Sequence, residues 1–129
     1  MPIRVVRLGT PRHPDEGPRL GTVRRPPRGV RKEDYAPQDW FDHWLPELAP
    51  SAELVTWALS EPLTEQRWKR FERTYRREMG EPDRQRLLGL LVLLSRQASF
   101  SVGCYCEDES LCHRSLLREL LREQGAELV

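Results

Sequence analysis

The last third of the chain carries three hydrophobic patterns with short connections between them. Residues 83–97 include seven apolar residues within eight positions, which predicts a helix buried on several sides. Residues 99–106 alternate between apolar and small or polar side chains, which predicts a strand. Residues 111–124 repeat leucine at helical spacing and predict an amphipathic helix. A buried helix, a strand, a short loop and a helix in this order are typical of a layered α/β domain.

The first part of the chain predicts short strands and irregular loops. Residues 3–8 are rich in β-branched side chains and predict a first strand, which a glycine and a proline end. Residues 20–25 predict a second strand, and the proline-rich stretches on both sides of it predict loops. Residues 39–45 are predicted to form one or two helical turns.

Two capped helices are predicted in the middle of the chain. Ser51 is the predicted N-cap of a helix over residues 51–60, and Thr64 is the predicted N-cap of the next helix. The second helix carries an apolar stripe at intervals of three and four residues, formed by Trp68, Phe71, Tyr75 and Met79. Gly80 and Pro82 are predicted to end that helix.

The length and the charge balance restrict the class of protein. The 129 residues are expected to form one domain, residues 1–129, which is large enough to bury a core without disulfides. The chain has 21 basic and 20 acidic residues and a net charge of +1, which argues against a histone-like nucleic-acid binder. Any binding of a polyanion must therefore come from a local basic patch. No dinucleotide-binding, P-loop or zincin motif is present.

The chain lacks any run of eighteen apolar residues and has no apolar signal core after Met1. We therefore expect a cytoplasmic protein with no membrane partner. All three cysteines fall between Cys104 and Cys112, so that a structural disulfide framework is not expected.

The segment from Cys104 to Arg114 holds the densest group of chemically active side chains. His113 and Arg114 fall in the first turn of the last predicted helix, where unpaired backbone N–H groups and the helix dipole attract anions. A phosphate or a carboxylate could bind there. Alternatively, the acidic loop over residues 107–109 supplies the negative charge that this helix terminus prefers.

The same segment allows a metal site or a reactive thiol. Three sulfur atoms and one imidazole are the correct number of ligands for tetrahedral zinc, and they belong to Cys104, Cys106, Cys112 and His113. The spacing differs from the C-x2-C pairs of standard zinc sites, and buried, inert thiols are the alternative. A thiolate that faces a helix N-terminus has a lowered pKa, although the phosphatase pattern of cysteine, five residues and arginine is absent.

Residues 19–32 form a second candidate site, with six basic residues and no acidic residue. Prolines hold this segment extended, so that it could bind phosphate groups. The alternative is a mobile basic loop neutralised by Glu33 and Asp34. Most of the aromatic residues that follow are predicted to be core anchors rather than base-stacking surfaces.

Three blocks of the sequence resemble the domain of unknown function family numbered 488, in its short stand-alone type. CYCEDESLCHRSLLRELL resembles the C-terminal signature of that family, and RPPRGVRKE resembles its early basic motif. DHWLPELAPSAELVTW resembles the segment that follows the basic motif. The resemblance implies a small layered α/β domain with a short, mostly parallel sheet flanked by helices. It also implies a site where the basic loop, residues 24–32, meets the start of the Cys-His-Arg helix.

The resemblance carries five residues into that site, namely Arg24, Arg28, Cys112, His113 and Arg114. Family members often have an aspartate before the arginine of the first motif and a tryptophan before its proline. This chain has Val23 and Pro26 at those positions. A reaction that requires the aspartate is therefore not expected of this chain.

The leading hypothesis from the sequence is the binding of an anionic ligand, either a nucleotide or a nucleic-acid phosphate. Arg24, Arg28 and Arg114 would supply charge-assisted hydrogen bonds, and His113 and Cys112 are the candidate catalytic groups. No cofactor is required, and no reaction or oligomeric state is predicted.

Two alternatives remain open. One is a metal-binding protein, with zinc as the metal, or a thiol-dependent protein; its ligands would be Cys104, Cys106, Cys112 and His113. The other is a structural or partner-binding domain that uses the basic loop as its contact surface.

Overall fold

The computed structural model describes residues Met1–Val129 and contains one sheet of four short strands. The strands are β1 (Arg4–Arg7), β2 (Arg19–Gly21), β3 (His43–Trp44) and β4 (Ser101–Cys104). They are all parallel and lie in the order β1-β4-β2-β3. Val102 of β4 lies opposite Val5 on one side and Leu20 on the other. The predicted α/β class and the parallel sheet are therefore confirmed.

Four α-helices accompany the sheet: α1 (Ala52–Leu59), α2 (Glu65–Met79), α3 (Pro82–Ser95) and α4 (His113–Glu123). Both predicted N-caps are present, because the side chain of Ser51 accepts a hydrogen bond from the backbone N–H of Leu54 and that of Thr64 accepts one from Arg67. None of these helices is both long and apolar enough to span a bilayer.

Strand β4 is buried on both faces, and its sequence Ser-Val-Gly-Cys contains only small or apolar residues. On one side Val102 belongs to a core of 15 buried residues that also contains residues of α2, α3 and α4. On the other side the backbone of Gly103 lies against Leu8, and a Cβ at position 103 would approach the Leu8 side chain to 2.6 Å. Only glycine fits at this position without moving Leu8.

The prediction of helical turns over residues 39–45 is wrong. Asp39 has a positive φ of 62°, which ends the preceding turn. The chain then extends and places His43 opposite Leu20, so that the segment forms the edge strand β3. A strand of two residues is too short to produce a hydrophobic period in the sequence.

The prediction that the leucine-rich helix is buried on several sides is also wrong. Helix α3 buries Leu88, Leu91 and Val92, whereas three other leucines are about half exposed. These are Leu90, Leu93 and Leu94, at 48%, 56% and 45% of their full exposure. The main contacts of α3 are with α2 and α4, and the side that carries these three leucines is left exposed to solvent.

Candidate functional site

The candidate site lies at the edge where the parallel strands end. Because all four strands run in one direction, the segments that follow β1, β2 and β4 leave the sheet at the same edge. The N-terminus of α4 is at this edge as well, since only residues 105–112 separate it from the end of β4. In open α/β sheets, ligands bind at this edge, outside the carboxyl ends of the strands.

Three thiols form a cluster at this edge. The Sγ atoms of Cys104, Cys106 and Cys112 all lie within 4.8 Å of one another, and the first two are 3.8 Å apart. Cys104 is the last residue of β4, and Cys112 is the extended residue that precedes α4. Cys104 and Cys112 are buried, whereas Cys106 is exposed. The strand end and the helix start thus place the thiols together.

The three thiols differ in acidity. Hydrogen bonds from Cys104 and Cys112 lower the pKa of Cys106, and the charge of the nearby Arg114 contributes in the same direction. The hydrogen bond to Cys106 raises the pKa of Cys104, and the hydrogen bonds to the other two thiols raise that of Cys112. Cys106 is therefore the most acidic of the three thiols.

His113 is buried beside the cluster as a neutral imidazole. Burial lowers its pKa to about 4. Its Nε2 atom lies 2.6 Å from the carbonyl oxygen of Thr22, which only accepts hydrogen bonds, so that Nε2 carries the proton. The lone pair therefore resides on Nδ1, which lies 3.8 Å from the Sγ atom of Cys112. Nδ1 is therefore an acceptor atom that faces this thiol.

Arg24 and Arg114 flank His113, and both donate to backbone carbonyl groups. Arg24 donates from Nε to Pro50 and from Nη2 to the carbonyls of residues 46 and 49. Arg114 is only 3% exposed and donates from Nη2 to the carbonyl oxygen of Cys106 at 2.6 Å. These arginines hold the segments that carry Pro50 and Cys106 in place.

A basic cavity of about 590 Å³ opens at the same edge. It is lined by Arg7, Leu8, Gly9, Thr10, Arg25, Pro26, Pro27, Arg28, Trp40 and Tyr105. Its lining contains three arginines and no acidic residue. Arg7 donates to the carbonyl of Tyr105 and pairs with the exposed Glu107 at 3.5 Å. The side chains of Arg25 and Arg28 are exposed and make no hydrogen bond or ion pair within the protein.

A second, apolar cavity of about 340 Å³ adjoins the basic cavity. Of its 17 lining residues 12 are hydrophobic, and all three thiols and His113 are among the 17. Arg25 and Tyr105 line both cavities and form the wall between them. The Tyr105 hydroxyl donates to the carbonyl oxygen of Arg25 at 2.9 Å, which fixes this wall.

The structure divides the predicted site residues into two groups. Cys112, His113, Arg114 and Arg24 lie together around the thiol cluster. Arg28 lies in the basic cavity, beyond the wall that Arg25 and Tyr105 form.

Arg7 and Tyr105 of the basic cavity were not predicted as site residues from the sequence. Trp40 is one of the aromatic residues that the sequence offered for base stacking and for which a core role was favoured. Trp40 lies edge-on to Tyr105, with the ring centroids 5.9 Å apart. The available signal for Arg7 and Tyr105 was their position at the ends of two predicted strands, where the parallel sheet directs side chains to one edge.

These features define a small α/β protein with an all-parallel sheet and a thiol cluster at the carboxyl edge of its strands. Residues 3–125 match the family DUF488-N3a, described as the active DUF488-N3 subclade. The match spans almost the whole chain, so the protein belongs to this family, and the predicted membership of family 488 is confirmed. No curated protein matches the chain significantly, and no solved structure does so either.

Proposed function

We propose that this protein binds an organic phosphate, of the kind carried by a nucleotide or a nucleic-acid strand, in the basic cavity. The observation that carries this proposal is the pair of exposed guanidinium groups of Arg25 and Arg28, which have no partner in the protein. A guanidinium group matches the geometry of a phosphate and binds it through two parallel hydrogen bonds. The absence of acidic residues from the cavity lining leaves these charges available.

The aromatic wall of the basic cavity supports an organic ligand rather than inorganic phosphate alone. Trp40 and Tyr105 offer half-buried rings on which a base or another flat group can stack. In this proposal Arg28 binds the phosphate directly, together with Arg25 and Arg7. Arg24 and Arg114 do not contact the phosphate in this proposal; they hold the backbone around the site through hydrogen bonds to carbonyl groups.

The first test measures binding of AMP and of a short thymidine oligonucleotide by titration calorimetry. Arg25→Ala and Arg28→Ala are each expected to weaken the binding of at least one of these probes about tenfold, since a hydrogen bond to a charged group contributes about 1.5–3 kcal/mol. If only AMP binds, the ligand is a nucleotide; if the oligonucleotide binds more tightly, it is a nucleic acid.

Arg31→Ala is the matched control for these variants. Arg31 lies in the same segment, is exposed and has no side-chain partner, but it does not line the cavity. Its replacement removes the same charge and should leave affinity almost unchanged. Equal losses in all three variants would indicate a diffuse charge effect instead of a site. Absence of any binding would leave the basic loop as a contact surface for a protein partner.

A second candidate function is a metal-dependent or thiol-dependent activity of the cluster. The observation that favours it is the separation of the thiols, because the 3.8 Å between Cys104 and Cys106 equals the distance between two sulfurs on tetrahedral zinc, about 3.8 Å for Zn–S bonds of about 2.3 Å. The Nδ1 lone pair of His113 or a ligand atom would complete the coordination. We place the protein in the reducing cytoplasm, which would keep these three free thiols reduced.

Titration of the metal-free protein with Co²⁺ tests the metal candidate. One equivalent is expected to produce a thiolate-to-cobalt absorption band, and Cys106→Ser should weaken binding at least tenfold because one of three thiolate ligands is lost. His43→Gln removes an exposed imidazole outside the cluster and should leave the titration unchanged. A titration without this band would remove the metal candidate and leave a thiol-dependent activity.

A further inference from the structure

The apolar cavity has no role in the binding of a phosphate group alone. Its volume of about 340 Å³ lies within the range of ligand pockets, and most of its lining is hydrophobic. One wall is the face of α1 that carries Ala52, Val55, Thr56 and Leu59, which recur at the spacing of one helix face. Leu59 is 81% exposed, so this face lacks a packing partner within the chain.

The position of the apolar cavity relates it to the basic cavity. The two share Arg25 and Tyr105, so a ligand bound across this wall touches both. The anionic end of such a ligand would lie at the guanidinium group of Arg25. Its apolar end would lie against the side chains of Cys106 and Cys112. The polar and apolar linings therefore follow each other along one continuous surface.

We infer that the ligand of this protein is amphipathic, with a phosphate group in the basic cavity and an alkyl or aryl group in the apolar cavity. This inference rests on the proposed phosphate binding and specifies the rest of the ligand. Burial of the apolar group against α1 and Phe71 removes hydrophobic surface from water on both sides. The bound apolar group also lies against the thiol cluster and excludes water from it.

A series of alkyl phosphates from methyl to hexyl phosphate tests this inference by titration calorimetry. Each methylene group that becomes fully buried should tighten binding about fourfold. Arg28→Ala should weaken every member of the series by the same factor, because it affects only the phosphate end. Hexanol should bind far more weakly than hexyl phosphate.

Thr56→Trp fills the apolar cavity from an exposed position of α1, which limits its effect on folding. It should abolish the dependence of affinity on chain length and leave the affinity for methyl phosphate unchanged. Glu53→Trp is the matched control, since it adds the same ring to the same helix outside the cavity and should preserve the dependence on chain length.

The outcomes separate this inference from the proposed function. Equal affinities for methyl and hexyl phosphate, both weakened by Arg28→Ala, would overturn the amphipathic ligand and retain phosphate binding. A gain with chain length that persists in Thr56→Trp would also overturn it, because the chain would then bind elsewhere. Failure of every alkyl phosphate to bind, while AMP or the oligonucleotide still binds, would overturn this inference alone. Failure of all of these probes would overturn both.

Discussion

Replacement of Arg19 by methionine is expected to lower the free energy of unfolding by about 3–5 kcal/mol, because it leaves the charge of Glu16 buried without its partner. The two side chains are only 1% and 2% exposed. The guanidinium group of Arg19 binds both carboxylate oxygens of Glu16 and also donates to the backbone carbonyls of Pro11 and Asp39. Urea denaturation followed by circular dichroism measures the loss.

The double variant Arg19→Met with Glu16→Leu distinguishes the cost of an unpaired buried charge from the cost of lost packing. It should recover part of the stability, because removal of both ions abolishes the unpaired charge. Arg73→Met is the control for loss of an arginine, since Arg73 is exposed on α2 and makes no side-chain bond; its effect should stay within about 0.5 kcal/mol. Equal effects of Arg19→Met and Arg73→Met would contradict the prediction.

Arg19 illustrates what the sequence does not reveal about this fold. It belongs to the segment with six basic residues, which predicts a basic surface, yet it lies in the interior. Its burial depends on the turn that brings Glu16 back to it and on Ser101, which donates to the same carboxylate from β4. A count of charges along the chain cannot distinguish this arginine from Arg28, because two of its four acceptors are backbone carbonyls, which every residue type offers.

The elements that could be predicted are those with local causes. Ser51 and Thr64 cap their helices through hydrogen bonds to residues three positions later, which the sequence displays directly. The strand before the cysteines and the helix after them follow from their hydrophobic periods. Strand β3 has no such local cause, since its two residues extend only because β2 lies beside them.

The candidate site was likewise predictable only where its residues lie close together in the sequence. Cys104, Cys106, Cys112 and His113 are close in sequence, and a strand followed by a helix brings them together. The contact between Arg25 and Tyr105 joins residues 80 positions apart and depends on the order of the strands. The bonds of Arg24 and Arg114 to backbone carbonyls could not be predicted either, because a carbonyl acceptor has no signature in the sequence.

The free energy of unfolding should fall by about 3 kcal/mol as the pH decreases from 6.5 to 4, because His113 is buried as a neutral imidazole. Burial lowers the pKa of His113 from 6.5 to about 4. Between these values the unfolded chain binds a proton that the folded protein excludes, so that acid favours unfolding. Above pH 6.5 neither state binds this proton, and the contribution of His113 is constant. Urea denaturation at a series of pH values, with EDTA present, measures the slope.

Between pH 4.5 and 6.5 the effect of His113 on stability can be measured separately from that of the carboxylates. Hydrogen bonds with arginine outweigh burial and lower the pKa of Glu16 and Asp42, whose ordinary values are 4.5 and 3.8, so these groups reduce stability only in more acidic solution. All variants of this series carry Cys106→Ser, because the lowered pKa of Cys106 would add a slope of the same sign. In that background His113→Gln should be almost independent of pH in this region, whereas His43→Gln, which changes an exposed side chain, should keep the slope. A slope that survives in His113→Gln would assign the proton uptake to another group and would contradict the neutral imidazole beside Cys112.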